Sequence, residues 1–288
     1  MTAPHASVPT VTLENGTADG PVEIPQLGFG VFQVPPDATR RATLTALEVG
    51  YRHIDTAEMY GNEAEVGQAV RESGIDRAEL FVTSKLNNGF HAPEDVQKAF
   101  AGTVAALDID YVDLFLIHWP LPTIDVDYLE TWKAMVELLD GGKVRAVGVS
   151  NFHQSHLRRL LDGSDVVPAA NQIEIHPYLT QDALREFDRA HGIATEAWSP
   201  IAKGRVLDDP AVTAVAADVG RTPAQVVLRW HIQRGDIVFP KSVTRSRVEE
   251  NFAVFDFDLD DQQMAAISAL NRDQRTGPDP DTFAYVRS

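Results

Sequence analysis

The stretch LFVTSKLNNGFHAPEDVQKAFAGTVAALDIDYVDLFLIH, residues 80–118, decides the fold. Its two ends, Leu80–Lys85 and Val112–His118, are short and rich in β-branched, aromatic and aliphatic residues, which is typical of strands. Between them, Pro93–Leu107 is long enough for about four turns of helix. Strands that alternate with helices predict a parallel sheet, and the unbroken apolar run Leu114–Ile117 within the second strand predicts burial on both faces.

The same alternation continues in both directions through about eight strand–helix units. Eight units close most naturally into a (β/α)8 TIM barrel, so we predict an α/β protein with a single barrel domain over residues 1–288. The predicted strands are Leu27–Gly30, Arg52–Thr56, Leu80–Lys85, Val112–His118, Val144–Ser150, Ala169–Ile173, Ile193–Trp198 and Ile237–Pro240. The predicted helices are Pro36–Val49, Asn62–Ser73, Pro93–Leu107, Tyr128–Leu139, Ser155–Leu161, Gln181–His191 and Pro223–Arg234.

Both ends of the chain differ from this alternation. Asn-Gly and Asp-Gly pairs between two short strand-like runs predict an N-terminal β-hairpin over residues 11–24. Residues 1–10 are expected to be flexible. Near the other end, Asp260 with Gln263 resembles a capping box that starts a last helix. Residues 272–288 are predicted to be an irregular C-terminal loop near the active site.

Composition excludes several classes of function. The chain has 288 residues, 25 Lys and Arg against 42 Asp and Glu, and a net charge of −17. Such a charge is repelled by nucleic acid and by anionic membranes, so neither is a predicted partner. The chain has no Cys, which excludes disulfides and thiolate chemistry. Residues 1–10 do not resemble a signal peptide, and we expect a cytoplasmic protein. No metal site is predicted.

Four polar residues lie at or just after predicted strand ends: Asp55, Tyr60, Lys85 and His118. In a (β/α)8 barrel the C-terminal ends of the strands meet at one edge, here called the rim, and this is where the chemistry occurs. Lys85 would lower the pKa of the Tyr60 phenol, and Asp55 would hold Lys85 in place. The set would then donate a proton to a carbonyl oxygen. Taken singly, each residue also has a structural interpretation: an ion pair, a core histidine or a packed ring.

A second clue lies in Pro240–Arg247, which has three cations and three hydroxyls in eight residues. This segment follows the last predicted strand and opens a short helix, a position that favours phosphate in barrels. A solvated basic turn is the alternative interpretation. Gly28 and Gly30 are not followed by the third glycine of a dinucleotide fingerprint, since Gln33 occupies its place, so a Rossmann site is not predicted.

Other rim residues offer amide, hydroxyl and aromatic groups. Ser150, Asn151 and Gln172 could hold a carboxamide, and Trp198 presents a flat face suited to a nicotinamide ring. The residues predicted to wall an apolar substrate pocket are Phe32, Met59 and Trp119.

Ordered motifs along nearly the whole chain resemble those of the aldo-keto reductase family. They are Gly50–Ala57 with Tyr60–Glu63, Thr83–Lys85, Ile117–Pro120, Gly148–Phe152, Asn171–Pro177, Trp198–Pro200 and Pro240–Ser242. The greatest similarity is to the bacterial branch that contains 2,5-diketo-D-gluconate reductases. The resemblance implies a barrel that binds NADPH without a Rossmann fold.

The resemblance also implies roles for individual residues. Tyr60 would be the proton donor, Asp55 and Lys85 would tune it, and His118 would orient the carbonyl. The implied cofactor-binding residues are Ser150, Asn151, Gln172, Trp198, Ser199, Lys241, Ser242, Val243, Thr244, Arg247, Glu250 and Asn251. Of these, Lys241, Ser242, Thr244 and Arg247 would hold the 2′-phosphate, and Glu250 and Asn251 would reach the adenine.

Two positions depart from the family pattern. Asn87 stands where many relatives carry Trp, which makes one wall of the substrate pocket smaller and more polar. Trp198 stands where many relatives carry Tyr, and either ring can stack on a nicotinamide.

The sequence therefore predicts a monomeric, NADPH-dependent reductase of aldehydes and ketones, with dicarbonyls such as methylglyoxal, phenylglyoxal or diketo sugar acids as substrates. Two alternatives remain open. One is a regulatory barrel that binds NADPH and turns over slowly or not at all. The other is a glycoside hydrolase with Glu174 and Glu196 as paired carboxylates, which would leave the basic segment without a purpose.

Overall fold

A sheet of eight parallel strands forms the centre of the protein in the computed structural model, which describes residues 8–286. Leu27, two residues before the first parallel strand, bridges to Val238 of the last parallel strand. This contact closes the sheet into a barrel. There the Gly28 amide donates to the Val238 carbonyl at 2.9 Å, and the Val238 amide donates to the Gln26 carbonyl at 3.0 Å. Two strands precede the parallel sheet and form a separate hairpin, β1 (Thr10–Leu13) and β2 (Val22–Pro25). The strands of the parallel sheet are β3 (Phe29–Gly30), β4 (His53–Asp55), β5 (Phe81–Leu86), β6 (Val112–Ile117), β7 (Val144–Ser150), β8 (Ala170–Glu174), β9 (Ala194–Trp198) and β10 (Ile237–Val238).

Strands β3 to β10 neighbour one another in chain order, with helices in the connections between them. The helices are α1 (Pro36–Val49), α2 (Glu63–Glu72), α3 (Pro93–Leu107), α4 (Tyr128–Asp140), α5 (Gln154–Gly163), α6 (Asp182–Ala190), α7 (Pro210–Val219), α8 (Pro223–Gln233), α9 (Arg245–Phe252) and α10 (Asp261–Ser268). This is the predicted (β/α)8 barrel, and the fold class is confirmed. Within residues 8–286, no helix combines the length and the apolar character that crossing a bilayer requires.

Local sequence signals explain where several helices begin. At the start of α8 the Gln225 amide donates to the Thr222 hydroxyl at 3.3 Å, and the Thr222 amide donates to the Gln225 side chain at 3.1 Å. Asp260 and Gln263 make the same reciprocal pair at the start of α10. Such capping boxes satisfy amides that have no partner inside the helix. Helix α7 was not predicted, although Asp209 caps it with Pro210 at its first position.

The N-terminal hairpin closes the end of the barrel away from the rim. Strands β1 and β2 pair antiparallel, and Leu13 and Ile24 are fully buried against residues of the barrel interior such as Leu114. Complete burial of each such side chain contributes about 1.5–3 kcal/mol. The hairpin was predicted correctly. Residues 1–7 of the segment predicted to be flexible lie outside the described residues, and Thr10 is already part of β1.

Candidate active site

Neighbouring parallel strands place three of the four rim residues side by side. Asp55 is the last residue of β4 and is the partner of Thr83 in β5. Lys85 lies two residues further along β5 and is the partner of Leu116 in β6. His118 follows the last residue of β6 directly. The register of the sheet, and not proximity in sequence, therefore brings these side chains to the same edge.

The Lys85 ammonium is fully buried and bound on several sides. It donates to the two Asp55 carboxylate oxygens at 2.9 and 2.7 Å, to the Thr56 carbonyl at 2.8 Å, and to the Tyr60 hydroxyl at 3.3 Å. Burial alone would lower the pKa of Lys85, but Asp55 and Tyr60 outweigh it and hold that pKa above its ordinary value. Lys85 is therefore a fixed positive charge beside the phenol oxygen.

The turn after β4 holds Tyr60 over this ammonium. A short 3-10 turn, Glu58–Tyr60, ends at Gly61 with a left-handed φ of 68°. The side-chain nitrogen of Asn62 then donates to the Val31 and Val34 carbonyls, each at 3.1 Å, which anchors the turn to the loop after β3. The turn that carries the phenol is thus anchored by contacts that do not involve Asp55, Lys85 or His118.

The pKa of Tyr60 moves opposite to the expectation from sequence. Burial, with a contribution from Asp55, raises the pKa of Tyr60 to about 12. Lys85 lowers this pKa, but by less than burial raises it. The expected lowering by Lys85 is present but is outweighed, because the protein packed around the partly buried phenol disfavours its charged form. Tyr60 is therefore a protonated phenol at neutral pH, which is the form that can donate.

His118 completes the group as a neutral imidazole. Its ring lies edge-on to the Tyr60 ring, with 5.7 Å between the ring centroids. Burial, together with the charge of Lys85, holds the pKa of His118 well below its usual value. No partner for its buried Nδ1 is found among residues 8–286. A neutral imidazole can donate one hydrogen bond without adding a second positive charge to the site.

The residues predicted to hold a carboxamide form a connected network. The Ser150 hydroxyl donates to the Gln172 carbonyl at 2.9 Å, and the Asn151 side chain donates to the His118 carbonyl at 2.9 Å. The Trp198 indole donates to the Asn151 side-chain oxygen at 2.8 Å, which fixes the indole plane. The structure thus brings these residues together beside Asp55, to which the Gln172 side chain donates at 2.9 Å.

The basic segment opens α9, as predicted. Arg245 pairs with Glu48 and Glu249, but neither Lys241 nor Arg247 has an ion-pair partner within the described part of the chain. Both are exposed. Two cations that lack an ion-pair partner among residues 8–286, one shortly before α9 and one in its first turn, form a place suited to an anionic ligand.

The remaining predicted cofactor residues differ in their surroundings. Val243 and Thr244 are exposed, while Ser199, Ser242 and Asn251 are partly buried. Glu250 is not free, because its side chain accepts a hydrogen bond from the Thr222 hydroxyl at 2.7 Å. One of its two carboxylate oxygens is therefore already bound by the residue that caps α8.

Aromatic side chains surround Tyr60 at the rim. The Phe32 ring is half-exposed, and its centroid lies 5.0 Å from that of Tyr60. Trp119 is buried under Phe283 of the C-terminal loop, at 4.2 Å between centroids. Met59 is partly buried beside Tyr60, whereas the Asn87 side chain accepts a hydrogen bond from the Gly89 amide at 3.2 Å. Asn87 is thus held by its own turn.

The C-terminal loop is attached to the rim next to Trp198. The Thr276 and Gly277 amides donate to the Glu174 carboxylate at 2.6 and 3.1 Å, and the Thr276 hydroxyl donates at 2.5 Å. A Cβ on Gly277 would overlap the Trp198 ring, so only glycine allows the loop to pass there. The two Glu174 oxygens are occupied by the loop, which is incompatible with the paired-carboxylate alternative.

The same loop is fastened to α5 by a second cluster. Ligand atoms of His153, His156 and Asp281 lie within 4.8 Å of one another, a spacing that could hold a metal ion. However, His153 Nε2 accepts from Arg275 at 2.7 Å, and His156 Nδ1 accepts from the His153 amide at 3.1 Å. The protons therefore sit on the nitrogens that face Asp281, so the cluster is hydrogen-bonded and not arranged as ligands.

A match to known proteins identifies the family to which this arrangement belongs. Residues 26–272 match the model of the aldo/keto reductase family. The chain belongs to the aldo/keto reductase family. It is an oxidoreductase that acts on carbonyl groups, so the glycoside hydrolase alternative is wrong.

Individual relatives support the same assignment. An aldo-keto reductase of Mycobacterium sp. (strain KMS) is 49% identical over 278 residues, covering 96% of this chain and 99% of the relative. The methylglyoxal reductase DkgA of Escherichia coli (strain K12) is 46% identical, covering 92% and 96%. A crystal structure of a variant of Gox0644 in complex with NADPH superimposes with a TM-score of 0.91, at 43% identity, covering 97% of this chain and 100% of that one.

Sequence reasoning considered Glu196 only as a glycosidase carboxylate and missed its place in this aldo/keto reductase site. Glu196 of β9 is fully buried and accepts a hydrogen bond from the Gln172 side chain at 2.8 Å. Burial, with the nearby charge of Asp55, raises the pKa of Glu196 to about 8. Its position opposite Gln172 in the β8–β9 register was a usable signal, because paired residues of neighbouring strands point to the same side.

This pKa leads to a prediction about stability. A carboxyl whose pKa is raised on folding stabilises the fold fully below its unfolded value of 4.5, and this contribution is lost as pH rises towards about 8. The variant Glu196→Gln cannot ionise. Its melting temperature relative to the wild type is therefore expected to rise between about pH 5 and about pH 8. Thermal unfolding across that range checks this, and a constant difference would contradict the raised pKa.

Proposed function

We propose that this aldo/keto reductase reduces aldehydes and ketones with NADPH, that dicarbonyls such as methylglyoxal, phenylglyoxal or diketo sugar acids are its substrates, and that Tyr60 is the proton donor. The observation that carries the proposal is the partly buried Tyr60 side chain, whose hydroxyl lies 3.3 Å from the fully buried Lys85 ammonium that Asp55 pairs through both carboxylate oxygens. That the methylglyoxal reductase DkgA is 46% identical supports the substrate class.

The residues present fit the cofactor. Lys241 and Arg247 have no ion-pair partner among residues 8–286 and would bind the 2′-phosphate. No donor reaches the Gln172 side-chain oxygen within those residues, so this oxygen could accept from a carboxamide. Trp198 would lie under the nicotinamide ring. When bound, NADPH supplies the hydride.

The chain's own residues supply the rest of the chemistry. Neutral His118 donates a hydrogen bond to the substrate carbonyl oxygen and orients it. As the carbonyl carbon is reduced, the electron pair of the carbonyl bond moves to the oxygen, and Tyr60 donates its proton there. The resulting phenolate is stabilised by Lys85, whose charge is already held in place by Asp55. The product is an alcohol.

The test of this proposal is a substrate panel with purified protein. Loss of NADPH absorbance is expected with dicarbonyls, at higher kcat/KM than with simple ketones. Tight NADPH binding without turnover of any carbonyl would instead favour the regulatory barrel. That the protein acts as a cytoplasmic monomer stays a prediction, and its oligomeric state can be measured by light scattering.

Cofactor choice gives a second prediction. The variant Arg247→Ala is expected to weaken NADPH binding by about tenfold or more, because a hydrogen-bonded ion pair with the 2′-phosphate is lost. Binding of NADH, which lacks that phosphate, should change by less than about twofold. Titration calorimetry with both cofactors measures the difference.

Arg245→Ala is the matched control, because this neighbouring arginine is already paired with Glu48 and Glu249. It should bind both cofactors as the wild type does. Equal losses of NADPH and NADH affinity in Arg247→Ala would remove Arg247 from the phosphate site.

A further inference from the structure

The side-chain amide of Gln172 lies between two carboxyl groups. Its nitrogen donates to Asp55 Oδ2 at 2.9 Å and to Glu196 Oε2 at 2.8 Å. An amide nitrogen carries two hydrogens, so both are used. All three side chains are buried. The Gln172 amide is therefore bound on one side by Asp55, which also pairs with Lys85, and on the other side by Glu196 of β9.

This arrangement determines which way round the amide lies. In the opposite orientation the Gln172 oxygen would face the Asp55 carboxylate, and two acceptors would repel each other. The observed orientation leaves the Gln172 oxygen as an acceptor with no donor among residues 8–286. This oxygen can accept a hydrogen bond from the N–H of a primary amide. It cannot form a hydrogen bond with a group that has no donor.

Glu196 carries a second unusual feature. Its other oxygen, Oε1, is buried and has no hydrogen-bond partner within the described residues. A buried unpaired polar atom opposes folding. The charged groups that act on this carboxyl are Asp55 and Lys85. The position is therefore occupied by a carboxyl group despite a stability cost, and among residues 8–286 the hydrogen-bond partner of this carboxyl group is Gln172.

We propose that Glu196 is a positioning residue that, together with Asp55, holds the Gln172 amide so that its oxygen faces the carboxamide of the nicotinamide cofactor. Glu196 itself does not touch the cofactor. The inference rests on the proposed function, since it assumes that NADPH and NADP+ bind at this rim.

Binding of two oxidised cofactors tests it. One is NADP+, and the other is its 3-acetylpyridine analogue, in which a methyl ketone replaces the carboxamide and no N–H remains. Glu196→Met removes the acceptor at similar size, and Glu196→Gln keeps an acceptor oxygen. Dissociation constants are measured by calorimetry for the wild type and both variants, with circular dichroism to verify folding. If Glu196→Met does not fold, Glu196→Val, which also lacks an acceptor and suits a strand, replaces it.

The expected result is selective. Glu196→Met should weaken NADP+ by about fivefold and change binding of the analogue by less than about twofold. Glu196→Gln should bind both as the wild type does. Three results would overturn the proposed role of Glu196 and leave the proposed function untouched. Glu196→Met could weaken binding of both ligands equally, or weaken binding of neither. Glu196→Gln could lose as much NADP+ affinity as Glu196→Met. A wild type that does not bind NADP+ would overturn the proposed function as well.

Discussion

Replacement of Tyr60 by Phe is expected to lower kcat by about a thousandfold, since a positioned general acid contributes about 10²–10⁴ in rate. The substitution removes only the phenol hydroxyl of Tyr60. The Tyr60 hydroxyl contacts Lys85 at 3.3 Å and is the group proposed to donate to the carbonyl oxygen. The ring itself packs against Phe32 and remains in the variant. Binding of NADPH should therefore change by less than about twofold.

Tyr51→Phe is the matched control for this experiment. Tyr51 is fully buried, and its hydroxyl has no hydrogen-bond partner in the described part of the chain. Removing that hydroxyl should leave kcat unchanged. Steady-state kinetics with a dicarbonyl compare the three proteins. Turnover by Tyr60→Phe at the wild-type rate would show that another group donates the proton.

The second large effect is expected at Lys85. Lys85→Met leaves the buried Asp55 carboxylate without its cation, and breaking a buried ion pair in this way typically costs about 3–5 kcal/mol. The midpoint of urea unfolding should fall accordingly. Turnover should be lost too, because the phenolate of Tyr60 would no longer be stabilised.

A double variant separates the two consequences of that change. Asp55→Asn combined with Lys85→Met removes both charges, so most of the stability should return while turnover stays lost. The amide oxygen that Asp55→Asn introduces can still accept the hydrogen bond from the Gln172 side chain. A Lys85→Met protein as stable as the wild type would show that the pair does not act as described.

The sequence was sufficient for the barrel because the relevant signals are local and repeated. Leu114–Ile117 is apolar without alternation, as a strand buried on both faces should be, and Pro93–Leu107 was predicted with the bounds of α3. The miss at α7 has a physical cause. Pro210–Val219 is mostly small and apolar, so its sequence has little contrast between a buried and an exposed face.

That Asp55, Tyr60, Lys85 and His118 lie close together was also predictable, but their electrostatics were not. The sequence placed Tyr60 near Lys85 and therefore suggested a lowered pKa. The structure shows that burial dominates and raises it to about 12. Burial of a phenol depends on everything packed around it, whereas a nearby charge can be inferred from one other residue.

What the sequence determined by itself was the alternation of elements, the rim position of Asp55, Lys85 and His118, and the basic start of α9. These follow from periodicity and from the geometry that all parallel barrels share. Only the tertiary structure decided that Gln172 is held between Asp55 and Glu196 and that Glu174 is occupied by the C-terminal loop. Such contacts join residues far apart in the chain, and a buried polar group takes whichever partner the packing brings within hydrogen-bond distance.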